Sequence, residues 1–360
     1  MKESTLDLYT AVVLITVAIL AVAIADIRSN RVIGSSMKRN SILTCLLIAC
    51  SFFFEWVGVK TNGADPSLIS LHKAAKPVEF CIAPLIGVLA TASYSKIRRP
   101  KLIAFLAGVH IFFEIAALPF ELVISIDENN VYQRGPLYPI YIAIFLLSVA
   151  FCIVSMVRTE LRYSSRPSAM LIAILALLLL GLGIQMIYSD IRVDYLCVAV
   201  ANYFLYNHRC GMILQMDGLT HLLNRRCYEK DLQKTDPPAV FLLMDVNNFK
   251  MLNDTYGNAA GDDYLKAIAE ILRSVYGRCG ACYRYGGDEF CVIMTKHTTE
   301  AEAYIADFRE KIREKQKTDE KFPDVAVGYA RYENKDTHIR KVLQTADEMM
   351  YRVKKEGRLP

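Results

Sequence analysis

The sequence lacks the marks of a secreted, disulfide-stapled protein. Ten cysteines are present, but Cys45, Cys50, Cys81, Cys152 and Cys197 sit inside long apolar runs. There cysteine behaves as a small hydrophobe, and no secreted-type framework is visible. The first apolar run has no small-residue cleavage pattern after it, so it reads as a retained span rather than a signal peptide. Net charge is only +5, and the basic residues lie in short loops between apolar runs. They read as topology signals, not as a nucleic-acid patch. No internal repeat is evident, which argues against a transporter built from repeated halves. His208, His221, His297 and His338 show no ligand spacing and read as surface residues. Cys279 and Cys282 form a lone Cys-x-x-Cys. With no second pair nearby, they read as turn and strand-start residues rather than a redox or metal motif.

What is present divides the chain. The hydrophobic fraction of 53% is concentrated before about Asn207, and after it charges are spread throughout. The expected organisation is a membrane domain at 1–207, a short helical linker at 208–216 and an α/β domain at 217–360. A spanning helix needs roughly 20 mainly apolar residues. Seven candidates satisfy or approach this: 8–27, 42–59, 78–95, 102–124, 137–157, 169–188 and 193–207. The seventh is short and carries Asp194 and Asn202. Charge placement favours counting it. Arg28, Arg31, Lys38 and Arg39 lie in the first loop, Lys96, Arg98, Arg99 and Lys101 in the third, and Arg158, Arg162 and Arg166 in the fifth. Basic loops stay on the cytoplasmic side, so the N-terminus is expected outside. Seven spans then put the C-terminal domain in the cytoplasm, in a multi-pass inner-membrane protein.

Ionisable residues within spans are costly and draw attention as sites. Glu55, Glu79, His110, Glu114 and Asp194 qualify. His110 and Glu114 are four apart and share a helix face. Either they line a sensing cavity, or they make inter-helix hydrogen bonds and snorkel to water. Tyr138, Tyr141, Tyr203 and Tyr206 read as aromatic-belt residues.

The C-terminal pattern alternates. Residues 224–234 read as a helix, 239–244 as a buried strand, 263–276 as a helix, and 282–285 with 290–294 as a hairpin whose turn glycines are Gly286 and Gly287. A charged helix at 300–317, a strand at 325–332 and a closing helix at 339–354 follow. The expected fold is α/β (α+β), a mainly antiparallel sheet flanked by helices. Asp245 ends the buried strand, and Asp288 and Glu289 sit on the hairpin tip. If those strands are neighbours the carboxylates converge, which suits Mg2+. Two such ions can stabilise the attacking and leaving oxygens of a phosphoryl displacement. Lys250, Lys354 and Arg358 are candidate phosphate partners. Either site alone would read as a surface carboxylate capping a strand end.

Four ordered segments carry a family resemblance. They are Asp217-Gly-Leu-Thr-His-Leu-Leu-Asn-Arg-Arg226, Asp245-Val-Asn-Asn-Phe-Lys-Met-Leu-Asn-Asp-Thr-Tyr-Gly257 with Gly261-Asp262, Arg284-Tyr-Gly-Gly-Asp-Glu-Phe290, and Ala346-Asp-Glu-Met-Met-Tyr351 with Lys354 and Gly357-Arg358. Together they resemble GGDEF domains, the diguanylate cyclases of nucleotidyl cyclase/palm fold. The resemblance implies that two GTP molecules are joined into cyclic di-GMP, with loss of two pyrophosphates, by two domains facing each other in a homodimer. It implies that Asp245, the Val246 carbonyl, Asp288 and Glu289 hold the metal, two Mg2+ per site with Mn2+ as the alternative. Asp288 would activate the 3′-hydroxyl, with Lys250 and Glu289 assisting. Asn253 and Asp262 would read guanine. Asn248, Phe249 and Gly287 would approach the phosphates, and Lys250, Lys354 and Arg358 would neutralise them.

Departures from the family pattern are few. Asn247 stands where many members carry Asp, Asn258 where His is common and Ala326 where Ser is frequent. Gly277 and Gly280 occupy the positions of the family's product-inhibition Arg-x-x-Asp, and Arg278 is one place out of register. No feedback inhibition through that site is expected. In the stretch before the first motif, Leu205, Met212 and Met216 fall near heptad-like spacing. This is either a stalk pairing two protomers or a plain membrane-exit linker. The competing functions are a non-catalytic GTP-binding module, which would show an eroded motif, and a membrane receptor whose C-terminal domain is only a scaffold. The partners expected are GTP, a second copy and the lipid bilayer, with no nucleic acid.

Overall fold

The computed structural model describes residues 3–95, 97, 99–161, 168–188 and 191–356. It divides into two compact units, the first ending at Ile213 and the second beginning at Leu214. Arg358 and the loop residues Lys96, Arg98, Arg162 and Arg166 lie outside the described residues.

The first unit is helical: α1 Glu3–Ser29, α2 Ser35–Thr61, α3 Ile69–Tyr94, α4 Pro100–Ala117, α5 Tyr138–Glu160, α6 Ala169–Ile187 and α7 Asp194–Leu214. Among the described residues, five helical segments are long and apolar enough to cross a membrane: Leu8–Ser29, Ser35–Thr61, Pro66–Tyr94, Pro100–Phe120 and Tyr138–Glu160. A shorter apolar helix spans Ala169–Gln185. Backbone polar groups satisfy one another inside each helix, as an apolar surrounding demands. Hydroxyls follow suit by donating to the carbonyl four residues back. Thr16 bonds Val12, Thr44 bonds Asn40, Thr91 bonds Gly87 and Ser93 bonds Leu89. Leu20, Ile27, Cys45, Ile48, Ala199 and Tyr206 form a core shared by α1, α2 and α7.

The structure departs from the sequence reading at two places in this unit. The fourth apolar run ends earlier than residue 124. A 3-10 turn at Leu118–Phe120 and Glu121 at φ 52° stop the helix. The chain then forms a hairpin of β1 Ile124–Ile126 and β2 Tyr132–Arg134. Its turn residue Asn130 is fully buried at φ 59°, a conformation asparagine tolerates. Its side chain donates to the Thr61 carbonyl at 2.7 Å, and its Oδ1 meets His72 Nδ1 at 2.9 Å. The hairpin is thereby clasped to the α2–α3 turn. Second, His208 is not a surface residue. The helical run continues past residue 207 to Leu214, and His208 is half-buried on it, 3.0 Å from the buried Glu160 carboxylate.

The second unit contains β3 Leu223–Asn224, α8 Arg225–Lys234, β4 Ala239–Val246, α9 Phe249–Tyr256, α10 Asn258–Tyr276, β5 Gly280–Gly286, β6 Glu289–Met294, α11 Ala301–Thr318, β7 Val325–Tyr332 and α12 Ile339–Glu356. The sheet order is β3-β5-β6-β4-β7. The β3–β5 pairing is parallel and the others are antiparallel, so the sheet is mixed. β4 reads as an unbroken apolar run because both its faces are covered. Val240, Leu242, Met244 and Val246 enter one core with α10 and α11. Ala239 and Phe241 enter the other, with Tyr228 of α8 and Val342 and Ala346 of α12. The period-2 alternation of a strand produces this division. α12 lies close against β7 because residue 328 is glycine. A Cβ there would collide with the backbone of Ala346 and Met350. Asn224 caps α8, accepting from the Cys227 amide at 3.1 Å.

Candidate active site

β4 and the β5–β6 hairpin meet where expected. Asp245, 8% exposed, is the penultimate residue of β4. Its cross-strand partner on β6 is Glu289, and on β7 it is Ala326. The β5–β6 turn is closed onto β4 by the Val246 amide, which donates to the Asp288 carbonyl at 3.2 Å. Gly287 sits at φ 44°, a conformation that glycine adopts without a Cβ penalty. The register shifts between Arg284 and Gly286, so this is a bulged hairpin.

Arg284 holds that turn. Its Nε and Nη2 donate to the Gly287 carbonyl at 3.0 and 2.7 Å. Its Nη1 donates to Asp217 Oδ1 at 3.0 Å. Asp217 also accepts from the Leu219 and Thr220 amides and the Thr220 hydroxyl. Burial pushes the Asp217 carboxyl up, but the Thr220 and Arg284 hydrogen bonds outweigh it and hold it below the usual range. The sequence reading assigned neither residue a task. The available signal was an arginine two places before a glycine pair, where a bulge frees a carbonyl.

Electrostatics mark the carboxylates as a group. The Glu289 carboxyl is pushed up by burial and by the negative charges of Asp245 and Asp288, with the Lys354 ammonium opposing. Lys354, from α12, lies 2.6 Å from Asp245 Oδ1. That contact was not foreseen, since Lys354 was read only as a phosphate partner. Among the described residues no three His, Cys, Asp or Glu side chains gather closely enough to form a ready-made metal cage. The donor set still suits a hard ion. Mg2+ takes one or two carboxylates and completes its shell with water and substrate phosphates. Asp245 and Glu289 in register, one already holding a cationic nitrogen, supply such oxygens.

The helix α9 was not read from the sequence. Asn248 caps it at φ 54°, so the helix N-terminus opens just beyond β4, with Phe249 as its first residue. Phe249 is half-buried against the core, and Lys250 is exposed with no ion pair among the described residues. The Asn253 Oδ1 atom is buried without a hydrogen-bond partner, beside Gly261, where a Cβ would strike it. Asp262 is exposed on α10, one residue after Gly261 and past the helix's first turn.

Comparison with known proteins places this unit. Residues 214–359 match the family model described as "Diguanylate cyclase, GGDEF domain". Over 145 residues the chain is 32% identical to the probable diguanylate cyclase DgcI of Escherichia coli (strain K12), covering 40% of this chain and 32% of that protein. Over 121 residues it is 33% identical to diguanylate cyclase A of Treponema denticola, covering 32% of this chain and 33% of the relative. The chain thus spans about a third of the length of these curated relatives. It is also similar to the solved active GGEEF domain of a diguanylate cyclase from Vibrio cholerae, at 25% identity and a TM-score of 0.35, over 38% of this chain and 94% of that one.

Proposed function

We propose that this protein is a membrane-anchored diguanylate cyclase, which condenses two GTP into cyclic di-GMP and two pyrophosphates. The observation that carries the reading is the register of Asp245 with Glu289 at one sheet end, with Lys354 alongside, in a unit matching the GGDEF family.

In this reading Asp245, the Val246 carbonyl, Asp288 and Glu289 hold the divalent ions, two Mg2+ with Mn2+ as the alternative. A divalent ion there supplies Lewis-acid stabilisation of phosphate charge. The chain's own groups do the rest. The α9 N-terminus, at Asn248 and Phe249, presents unpaired amides to phosphate oxygens. Lys250, Lys354 and Arg358 neutralise charge on the triphosphate and the leaving pyrophosphate. Asn253 and Asp262 accept from the guanine N–H groups. The unpartnered Asn253 oxygen supports this, because a buried acceptor without a donor is costly until a ligand supplies one. Gly287 lets the hairpin backbone approach the nucleotide. Asp288 takes the proton of the 3′-hydroxyl, which then attacks the α-phosphate held by the facing protomer. A single protomer binds GTP without turning over.

The first unit is a sensor of seven spans, with α6 and α7 added to the five long apolar segments. The N-terminus is outside and the cyclase in the cytoplasm, in the inner membrane. α7, continuous to Leu214, supports a helical stalk that sets how two cyclase domains meet. In domain terms the sensor is 1–207, the linker 208–216 and the cyclase 217–360. The test is to supply purified full-length protein in nanodiscs with Mg2+ and either GTP or ATP. Cyclic di-GMP from GTP alone is expected. No GTP consumption by a demonstrated dimer, including a constitutively dimerised cyclase fragment, would refute the enzyme.

A further inference from the structure

A pair of buried side chains in the first unit has no part in the cyclase reaction. His110 and Glu114 stand one turn apart on α4 and are 4% and 3% exposed. Their helix lies in Pro100–Phe120, one of the segments apolar enough to cross a membrane. The chemistry starts on α3. Residue 84 is proline, which has no N–H, so the Phe80 carbonyl has no helical donor. His110 Nε2 lies 3.1 Å from that oxygen. A carbonyl can only accept, so Nε2 carries the hydrogen and the neutral ring leaves Nδ1 as a bare lone pair. Nδ1 has no hydrogen-bond partner among the described residues. It faces Glu114 Oε1, also unpartnered, at 3.8 Å.

Two acceptors that face each other in a dry interior need a hydrogen between them. α3 contributes the Phe80 carbonyl and the Cys81 thiol, and α5 contributes the Tyr141 phenol. Glu79, next to Phe80, is already paired with Lys76 at 2.8 Å. Among the described residues, neither His110 nor Glu114 has a lysine or arginine as an electrostatic partner. An ionised carboxylate without a cation bears the full cost of burial, whereas the acid form bears little and can donate to Nδ1.

We propose that His110 and Glu114 form a proton-binding site, in which one proton on Glu114 is held by donation to His110 Nδ1 and is given up to solvent on alkalinisation. If the membrane unit regulates the cyclase, as proposed above, the proton is one of its signals; that extension rests on the earlier reading.

The test is infrared difference spectroscopy of full-length protein in nanodiscs across pH steps, a readout that needs no GTP turnover. Exposed Asp and Glu, with pKa values of about 3.9 and 4.3, are ionised at neutral pH. A protonated-carboxyl band should therefore persist in the wild type, lose one component in Glu114→Gln and shift in His110→Phe. Glu55, Glu79 and Asp194 remain in every variant as the background. No lost component in Glu114→Gln overturns the proposal, because Glu114 is then ionised and met by a bridging water or cation. Should Glu114→Gln fail to insert, Glu114→Asp decides: a shifted component supports the site and an unchanged spectrum overturns it. A cyclase pH profile unchanged by Glu114→Gln would overturn the signalling extension alone.

Discussion

At the scale of single residues, Arg284 and Glu289 have opposite duties. Arg284 joins the Gly287 carbonyl to Asp217, and the Arg284 and Asp217 side chains are 14% and 24% exposed. Hydrogen bonds to charged groups contribute about 1.5–3 kcal/mol, less where water screens them. Arg284→Ala should therefore cost about 1–2 kcal/mol by the same reasoning. It should speed amide hydrogen exchange at residues 285–289; unchanged exchange there would show that the turn does not depend on the arginine. The Asp217 contribution has a defined pH sense. Its carboxyl is held low in the fold, so the stabilisation is present above the ordinary Asp range and is lost as pH falls through the depressed value. Glu289 runs the other way. Its carboxyl is raised by burial and by Asp245 and Asp288, and if it holds the metal as proposed, binding needs it ionised. The Mg2+ concentration for half-maximal activity should climb as pH falls, beginning at a higher pH than an ordinary glutamate would give. In Glu289→Gln that part of the slope should vanish; a Mg2+ requirement flat with pH in the wild type would exclude this role. The motif residues were legible because they carry chemistry in fixed order. The Arg284 clamp and the Lys354–Asp245 contact were not, since each joins residues 67 and 109 positions apart and no local pattern records such a meeting.

At the scale of elements, the closing helix positions the site. α12 packs on β7 at Gly328, and this brings Lys354 to Asp245. Gly328→Val drives a side chain into the backbone of α12, and overpacking of this kind costs about 1–3 kcal/mol. The variant should melt earlier and lose most turnover while Arg284–Asp217 remains intact. Wild-type turnover in a folded Gly328→Val protein would mean that α12 placement is irrelevant to catalysis. The strands β4 and β7 were readable to within two residues because their apolar runs have breaks at both ends. α9 was missed because it is only eight residues long, too short for its periodicity to register. The membrane-side hairpin was missed for a related reason. The run through residue 124 stays apolar, and hydropathy does not see the proline-containing turn at Leu118–Phe120.

At the scale of the whole molecule, the proposed function gives regulation to the helical unit and catalysis to the second. The sequence reading puts Gly277 and Gly280 at the family's product-inhibition positions, and Arg278 is exposed beside them. Cyclic di-GMP should therefore not inhibit through this site. Low-micromolar inhibition that disappears in Arg278→Ala would contradict that. Of the seven expected spans, the first five recur among the described residues as helices long and apolar enough to cross a membrane and the sixth as a shorter apolar helix, because length and hydropathy alone define a candidate span. The half-buried placement of His208 was not legible in the sequence, because it depends on α7 continuing beside Glu160.

The most direct measurement is the stoichiometry of product to pyrophosphate made from GTP and Mg2+ by the full-length protein in nanodiscs, with Asp288→Ala alongside. The proposed function requires one cyclic di-GMP for every two pyrophosphates from the wild type and neither from the variant. Equal yields from both proteins, or pyrophosphate without cyclic di-GMP, would contradict it.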